Sequence, residues 1–353
     1  MLKGANINTS IKRSNNNGID LGKFIMAFAV VALHTHPLEH CTNAHLLKVY
    51  SLCVDLAVPF FFLASGYLLG IKLSWPWSSE GNTAVIRKYL NRIWRMYHFW
   101  TLIYFPLALY SFISDRIPFP DACLKYIRGF IFIGEQYNSW HLWYLLSTIY
   151  ALFALIILQE AKGTEKGIMA LIFTASIFIA GFDYLAIYDG ALPSALGLLQ
   201  KIVKASFTSG RIFQGTVFIP VGLLLSRTNI PKPASLLLLF GGLGANYWTD
   251  NIILSDYLLI LTAVGLFEII KGLHLADSRI YFYMRKSSTV IYLIHMYIWT
   301  FYYTLLYGKK TFGPDSFLAV SIISFLLSVL YIKRRIKPRQ LPESGQDQGA
   351  AAL

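Results

Sequence analysis

The sequence predicts an all-α polytopic membrane protein with about ten transmembrane helices and both termini in the cytoplasm. Three observations carry that expectation. Of the 353 residues, 56% are hydrophobic and only 14% are charged, against roughly 25% charged in an ordinary soluble domain. A mean hydropathy of +0.52 therefore leaves much of the apolar surface nothing but lipid to face. Apolar runs of about 20 residues, the length of a helix that spans a bilayer core, recur along the chain. Basic residues are also distributed unevenly between alternate connections, as the positive-inside rule requires. The same composition excludes a disordered chain, and three cysteines are too few for a disulfide framework. The net charge of +13 would suggest nucleic acid in a soluble protein, but here it serves topology first.

Taken in order, residues 1–17 are polar and lack the apolar core and small-residue cleavage site of a signal peptide, so they read as a disordered cytoplasmic leader. Ten apolar segments follow at about 19–37, 47–71, 94–114, 140–158, 167–188, 211–226, 233–248, 256–272, 287–307 and 316–332. The sixth and seventh are short and carry Gly and Pro, which membrane helices tolerate where neighbours satisfy the freed backbone groups. With these ten crossings, 21 Lys and Arg fall on the side of the termini and nine on the other, with Lys23 inside a helix. The transmembrane domain is then 18–335, and 336–353 reads as a disordered cytoplasmic tail. No internal repeat is visible, which weakens a secondary-transporter reading.

Ionisable groups within the bilayer are costly and usually functional. In the first segment Lys23 and His34 are eleven residues apart, close to three helical turns, so they share a face about 16 Å apart along the axis. Asp20, one turn below Lys23, lies on that face too. Imidazole suits general-base chemistry at neutral pH, although a packing histidine and a snorkelling lysine would give the same pattern. Ser65-Gly66-Tyr67 ends the second segment with small residues suited to close helix approach. Lys88, Arg92 and Arg95 form one helical stripe that fits phosphates, lipid headgroups or topology alone. Trp140, His141 and Trp143 open the fourth segment as an interfacial aromatic group or a platform for a sugar or acceptor headgroup. Ser288, Tyr292 and His295, at i, i+4 and i+7, make a polar seam in the ninth.

In order and spacing these pieces resemble the acyltransferase 3 family of bacterial ten-helix membrane acyltransferases, over about residues 18 to 335. The resemblance rests on Asp20, Lys23 and His34; Phe60-Phe61-Phe62-Leu63-Ala64-Ser65-Gly66-Tyr67; Lys88, Arg92 and Arg95; His141-x-Trp143-Tyr144-Leu145; and Ser288, Tyr292 and His295. It implies a multi-pass protein of the bacterial cytoplasmic membrane. This protein would move an acyl group, most simply acetyl, from cytoplasmic acyl-CoA to a hydroxyl of an extracytoplasmic glycan or lipid-linked acceptor. No cofactor is permanently bound. By the same analogy His34, with Lys23 and Asp20, carries the chemistry; Arg92, Arg95 and Lys88 meet the phosphates of coenzyme A; and Ser65, Tyr67, His141, Trp143, Ser288, Tyr292 and His295 line the cavity. Lys23 stands where the best-known branch has Arg, keeping the charge without the bidentate geometry. Many members have Asp where this chain has Pro59. Val58-Pro59-Phe60, Phe105-Pro106 and Arg211-Ile212-Phe213-Gln214-Gly215 look most like the membrane half of the vancomycin-resistance serine racemases. That half is thought to handle serine supply, so a non-catalytic module for L-serine is the alternative reading.

Other groups carry weaker expectations. His36, Glu39, His40, Cys41 and His45 crowd one loop, but their spacing fits no closed metal site, so no metal is expected. Cys41, Cys53 and Cys123 are expected to be free thiols. Asp183 and Glu268, isolated acids in apolar helices, are read as local hydrogen-bond or ion-pair partners or as part of a cavity.

Overall fold

In the computed structural model the described residues are 16–188, 190, 192–207 and 210–335; nearly all of the expected leader and the whole of the expected tail lie outside them. Thirteen α-helices are described, and no strand occurs among the described residues. They are α1 (Asn17–Thr35), α2 (Ala44–Val54), α3 (Ala57–Gly70), α4 (Asn82–Ser114), α5 (Phe119–Arg128), α6 (Trp143–Glu160), α7 (Glu165–Ile187), α8 (Ser194–Ser206), α9 (Gly215–Leu225), α10 (Lys232–Trp248), α11 (Ile252–Lys271), α12 (Arg279–Leu306) and α13 (Pro314–Arg335). Seven stretches among the described residues are long and apolar enough to cross a membrane: α1, α2 with α3, Trp140–Glu160, α7, α11, α12 and Pro314–Arg334.

The expected count of ten is therefore not reached by length and hydropathy alone. Three expected segments fall short for separate reasons. The C-terminal half of α4 is diluted by Tyr, Trp, His and Pro106; Gly210–Leu225 is a shorter apolar helix; and α10 is 17 residues long. The second expected segment is broken at Asp55 and Leu56. Pro59 offers no N–H to the Asp55 carbonyl and its ring crowds that carbonyl, which ends α2 and restarts the chain as α3. The helices α5 and α8 were not expected. They are short and two-faced: α5 exposes Phe119, Leu124 and Ile127 along with Asp121 and Lys125, the pattern of a helix lying in a membrane interface.

The core is built by α1 against α12, α3 against α9, α4 against α6, and α10 against α11. Gly66 on α3 and Gly222 on α9 let two backbones touch. A Cβ on Gly66 would lie 2.0 Å from the Ile219 carbonyl oxygen, and one on Gly222 2.2 Å from that of Leu63. The helices α1 and α12 run parallel and in step, since Asp20 meets Arg285 near their starts and His34 meets His295 further along. Asn17 anchors the start of α1, its amide donating to the Leu275 and Ala276 carbonyls and to Asp277. His36, in the left-handed region at φ 45°, ends the helix while its N–H still bonds the Ala32 carbonyl.

Candidate active site

The polar residues of α1 and α12 form one seam with different chemistry at its two ends. Near the helix starts, Asp20 is 5% exposed and its carboxylate takes Arg285 at 3.3 Å. Lys23, half-buried, feels the charges of Asp20, Arg285 and Arg92. Asp20 thus answers Arg285 and Lys23, while Arg92 adds a third positive charge felt by Lys23. Arg92 is exposed, packs over the Tyr89 ring at 4.9 Å, and its charge is felt at Tyr144. Lys88 and Arg95 lie exposed on the same helix.

Three imidazoles meet near the other end. His34 is 9% exposed, His141 1% and His295 fully buried. The ring centres of His34 and His295 are 5.3 Å apart, and those of His141 and His295 5.0 Å. Each ring comes from a different part of the chain. His34 sits one residue before the end of α1, whereas His295 continues the Ser288–Tyr292 seam of α12. His141 is delivered by a buried loop: Asn138 adopts φ 54°, a region Asn tolerates better than most residues, and its amide donates to Thr300 at 3.0 Å and Tyr303 at 2.5 Å. The Ser139 hydroxyl accepts the Gln136 N–H, and a single 3-10 turn over Trp140–Leu142 leads into α6. Trp140 closes the outer side, 5.9 Å from His34 and 6.1 Å from Trp299 between ring centres.

Hydrogen bonds tie this cluster to its supports. The Tyr292 hydroxyl donates to the His141 carbonyl at 2.5 Å. The Ser65 and Tyr144 hydroxyls bond each other at 2.9 Å, and the rings of Tyr144 and Tyr292 lie 5.6 Å apart, which links α3, α6 and α12. His295 Nδ1 bonds the Tyr292 carbonyl at 2.8 Å, while its Nε2 is buried without a partner.

Other expected site residues lie elsewhere or are otherwise engaged. Ser288 spends its hydroxyl on the Arg285 carbonyl of its own helix. Tyr67 packs on Phe267 and under Lys271, away from the imidazoles. Trp143 lies against Phe62 and beneath the Arg211 guanidinium. Asp20 is with Arg285, at the opposite end of the seam from His34.

Sequence reasoning missed two cations. Arg285 stands three residues before Ser288 and so extends the seam by one turn, a signal that was present in the spacing. Arg211 pairs with Glu135, and its charge reaches both His34 and Tyr292; the sequence marks it only as a topology charge and as part of the Arg211–Gly215 segment, with no place in the site. In the crowded loop, His36 packs edge-on against Phe312 and His45 pairs with Tyr247. Neither this loop nor the three imidazoles, nor any other group of His, Cys, Asp or Glu among the described residues, is arranged so that three of them could hold a metal ion. Glu268 pairs with Lys271 at 2.5 Å and accepts the Ile230 N–H, while Asp183 accepts the Gly210 N–H at 2.6 Å. Cys41, Cys53 and Cys123 are free thiols. A separate cavity lined by Ser176, Gln214, Asp256 and Tyr257, between α7, α9 and α11, shares no residue with the imidazole cluster.

The helical architecture, with seven stretches apolar enough to cross a membrane among the described residues, is that of a multi-pass membrane protein. The profile of the acyltransferase 3 family, described as an acyltransferase domain, matches residues 16–333, and the chain belongs to that family. An amino-acid racemase of Enterococcus faecalis is 31% identical over 228 residues, 63% of this chain and 31% of the relative. A second amino-acid racemase of the same species is 25% identical over 215 residues, 60% and 28% of the two chains. A serine/alanine racemase of Enterococcus gallinarum is 31% identical over 134 residues, 38% and 18%. The chain thus matches less than a third of the length of these curated relatives. No solved structure matches it.

Proposed function

We propose that this chain is an integral-membrane O-acyltransferase that takes an acyl group, most simply acetyl, from cytoplasmic acyl-CoA and places it on a hydroxyl of an extracytoplasmic glycan or lipid-linked acceptor. The observation that carries the reading is the seam itself. Cations Lys23, Arg285 and Arg92 gather at one end of α1 and α12, where phosphates would be held, and a buried imidazole lies about 16 Å further along the helix axis. His34 takes the proton of the acceptor hydroxyl as its oxygen attacks the thioester carbonyl. The ester C–O bond forms, the C–S bond breaks, and the thiolate recovers the proton from His34. Arg92 and Lys23 hold the donor, with Lys88 and Arg95 extending the basic face, while Ser65, Tyr144 and Tyr292 hold the walls. Acyl-CoA is a substrate in this reading rather than a resident cofactor.

The reading carries a topology of ten crossings in a bacterial cytoplasmic membrane, with both termini cytoplasmic. The parallel run of α1 and α12 supports it, because the first and ninth crossings must share a direction. The test is acyl transfer from labelled acetyl-CoA in membranes carrying His34→Ala. Transfer should fall to background, and activity at the original level would remove the mechanism.

The names of the relatives favour a second reading, in which the chain is a non-catalytic module for a small amino acid such as L-serine. Serine uptake into proteoliposomes without any acyl-CoA would support that reading over the first.

A further inference from the structure

We propose that His295 is a positioning residue that orients His34 and shares its charge when His34 holds a proton. The inference rests on the acyl-transfer reading and goes beyond it, since that reading asks only for a base at His34. An imidazole base works through one nitrogen, and its other N–H must be fixed by an acceptor if the correct tautomer is to be populated. In many hydrolytic sites that acceptor is a carboxylate. Here the titratable and charged groups whose fields reach His34 are His295 on α12, Arg211 before α9, His36 just beyond the end of its own helix and His141 before α6, and none of these is an acid.

His295 has the required form. Its Nδ1 lies 2.8 Å from the Tyr292 carbonyl and 3.2 Å from that of Ile291. A carbonyl can only accept, so the proton of the neutral ring is on Nδ1 and Nε2 carries a bare lone pair. That Nε2 is fully buried and has no hydrogen-bond partner, an arrangement folded proteins retain where a site uses it. The two rings are nearly parallel, 23° apart, with centres 5.3 Å apart. That is an offset stack, within the usual spacing of ring pairs. An N–H···N bond of about 2.9 Å between the edges of two five-membered rings places their centres roughly 5 Å apart. No hydrogen bond joins Nε2 to His34 in this arrangement, but the centres are already at that spacing, so rotation of the rings would form one, as catalytic hydrogen bonds often tighten only when substrate binds.

When His34 accepts the hydroxyl proton, its other N–H is directed at His295 Nε2, and the positive charge is spread over two rings before the thiolate takes the proton back. No bond to His295 forms or breaks. Arg211 opposes the imidazolium, which increases the need for an acceptor on the other side, and His141 packs tilted against His295 with centres 5.0 Å apart, its own two nitrogens buried without partners.

The experiment measures kcat and KM for acetyl-CoA in membranes carrying wild type, His34→Ala, His295→Leu and His295→Gln, with folding checked by size-exclusion elution. Leu keeps the bulk and removes the acceptor, whereas Gln returns an amide oxygen near the position of Nε2. His295→Leu should lower kcat by about 100-fold, within the range of a lost general-base partner, and His295→Gln by no more than about tenfold. KM for acetyl-CoA should stay within about twofold in both. Equal loss in the two variants, a kcat for His295→Leu near wild type, or a defect confined to KM would each overturn the dyad. If His295→Leu does not fold, His295→Gln decides alone: a kcat as low as that of His34→Ala overturns the proposal, and one within about tenfold of wild type supports it. Full activity in His34→Ala would remove the acyl-transfer reading itself, whereas an inactive His34→Ala beside a fully active His295→Leu removes only the dyad.

Discussion

Gly66→Ala tests whether backbone contact between α3 and α9 holds the site together. The added Cβ would lie 2.0 Å from the Ile219 carbonyl oxygen, 2.9 Å from its carbonyl carbon and 3.0 Å from its Cα. Real Cβ contacts do not fall below 3.0 Å, so the helices must part by about 1 Å or more at this point. Nothing flexible can yield, because every atom met is backbone. The same crossing is closed from the other side by Gly222 against the Leu63 carbonyl. Overpacking of a tight core costs about 1–3 kcal/mol, and an unyielding contact belongs at the upper end, near 3 kcal/mol. Ser65, the next residue, would lose its 2.9 Å bond to Tyr144. The assay is the apparent unfolding temperature in mild detergent, with Gly244→Ala as control, since a Cβ there meets nothing within 4 Å. Gly66→Ala should lower the midpoint by roughly 5 °C or more, and Gly244→Ala should leave it unchanged or raise it slightly. A midpoint for Gly66→Ala within about 1 °C of wild type, or equal damage from the control, would refute the argument.

Two further outcomes follow from buried and half-buried charge. Lys271→Met leaves Glu268, whose side chain is 3% exposed, without its cation; the loss should approach 3 kcal/mol, and adding Glu268→Gln should recover much of it, as a double-mutant cycle of unfolding would read. Lys310 lies between α12 and α13, over the rings of Tyr137 at 4.7 Å and Trp140 at 4.9 Å, and burial holds its ammonium below the ordinary 10.5. The unfolded chain then binds more protons between the two values, so folded stability rises with pH through that window and the penalty is fully present below it. The midpoint of wild type should gain on that of Lys310→Met as pH climbs towards 10.5; a constant difference would show that Lys310 is not the source.

How much of this was legible in the sequence depended on whether a signal was local. The seam Ser288–Tyr292–His295 and the Lys23–His34 step were readable because a helix converts spacing directly into a shared face. That Ser288 would bond its own backbone was not, since a helical serine can turn to the carbonyl three residues back as easily as into a cavity. Tyr67 was drawn in by its neighbours Ser65 and Gly66, but it lies two residues on, and a helix turns about 200° over that step, towards Phe267 and Lys271. The break before α3 was visible in Pro59, yet the apolar run hid it. The helices α5 and α8 escaped because a hydropathy search rewards continuous runs, whereas an interfacial helix alternates. Arg211 and Arg285 were counted as topology. Arg285 was nonetheless readable from its spacing to Ser288, whereas only the folded chain brings the charge of Arg211 to His34.

Seen along α1 and α12, the two ends of the seam solve different problems, and that difference is the physical argument for a two-substrate site. Asp20, a single negative charge, does not compensate Arg285, Lys23 and Arg92 together, and a cluster left positive at a membrane edge is stable only if water or an anion answers it. Lipid headgroups could do so, but they would not explain why the same seam continues inward to imidazoles. At the far end the groups His34, His141 and His295 are of a kind that can be neutral, so they can be buried without the desolvation penalty of fixed charge, and the penalty that remains is unpaired hydrogen-bonding capacity. A phosphate-bearing donor would answer the first deficit and a hydroxyl-bearing acceptor the second. A small zwitterion bound at one end would leave the other unanswered, and for that reason the acyl-transfer reading accounts for more of the seam than amino-acid handling does.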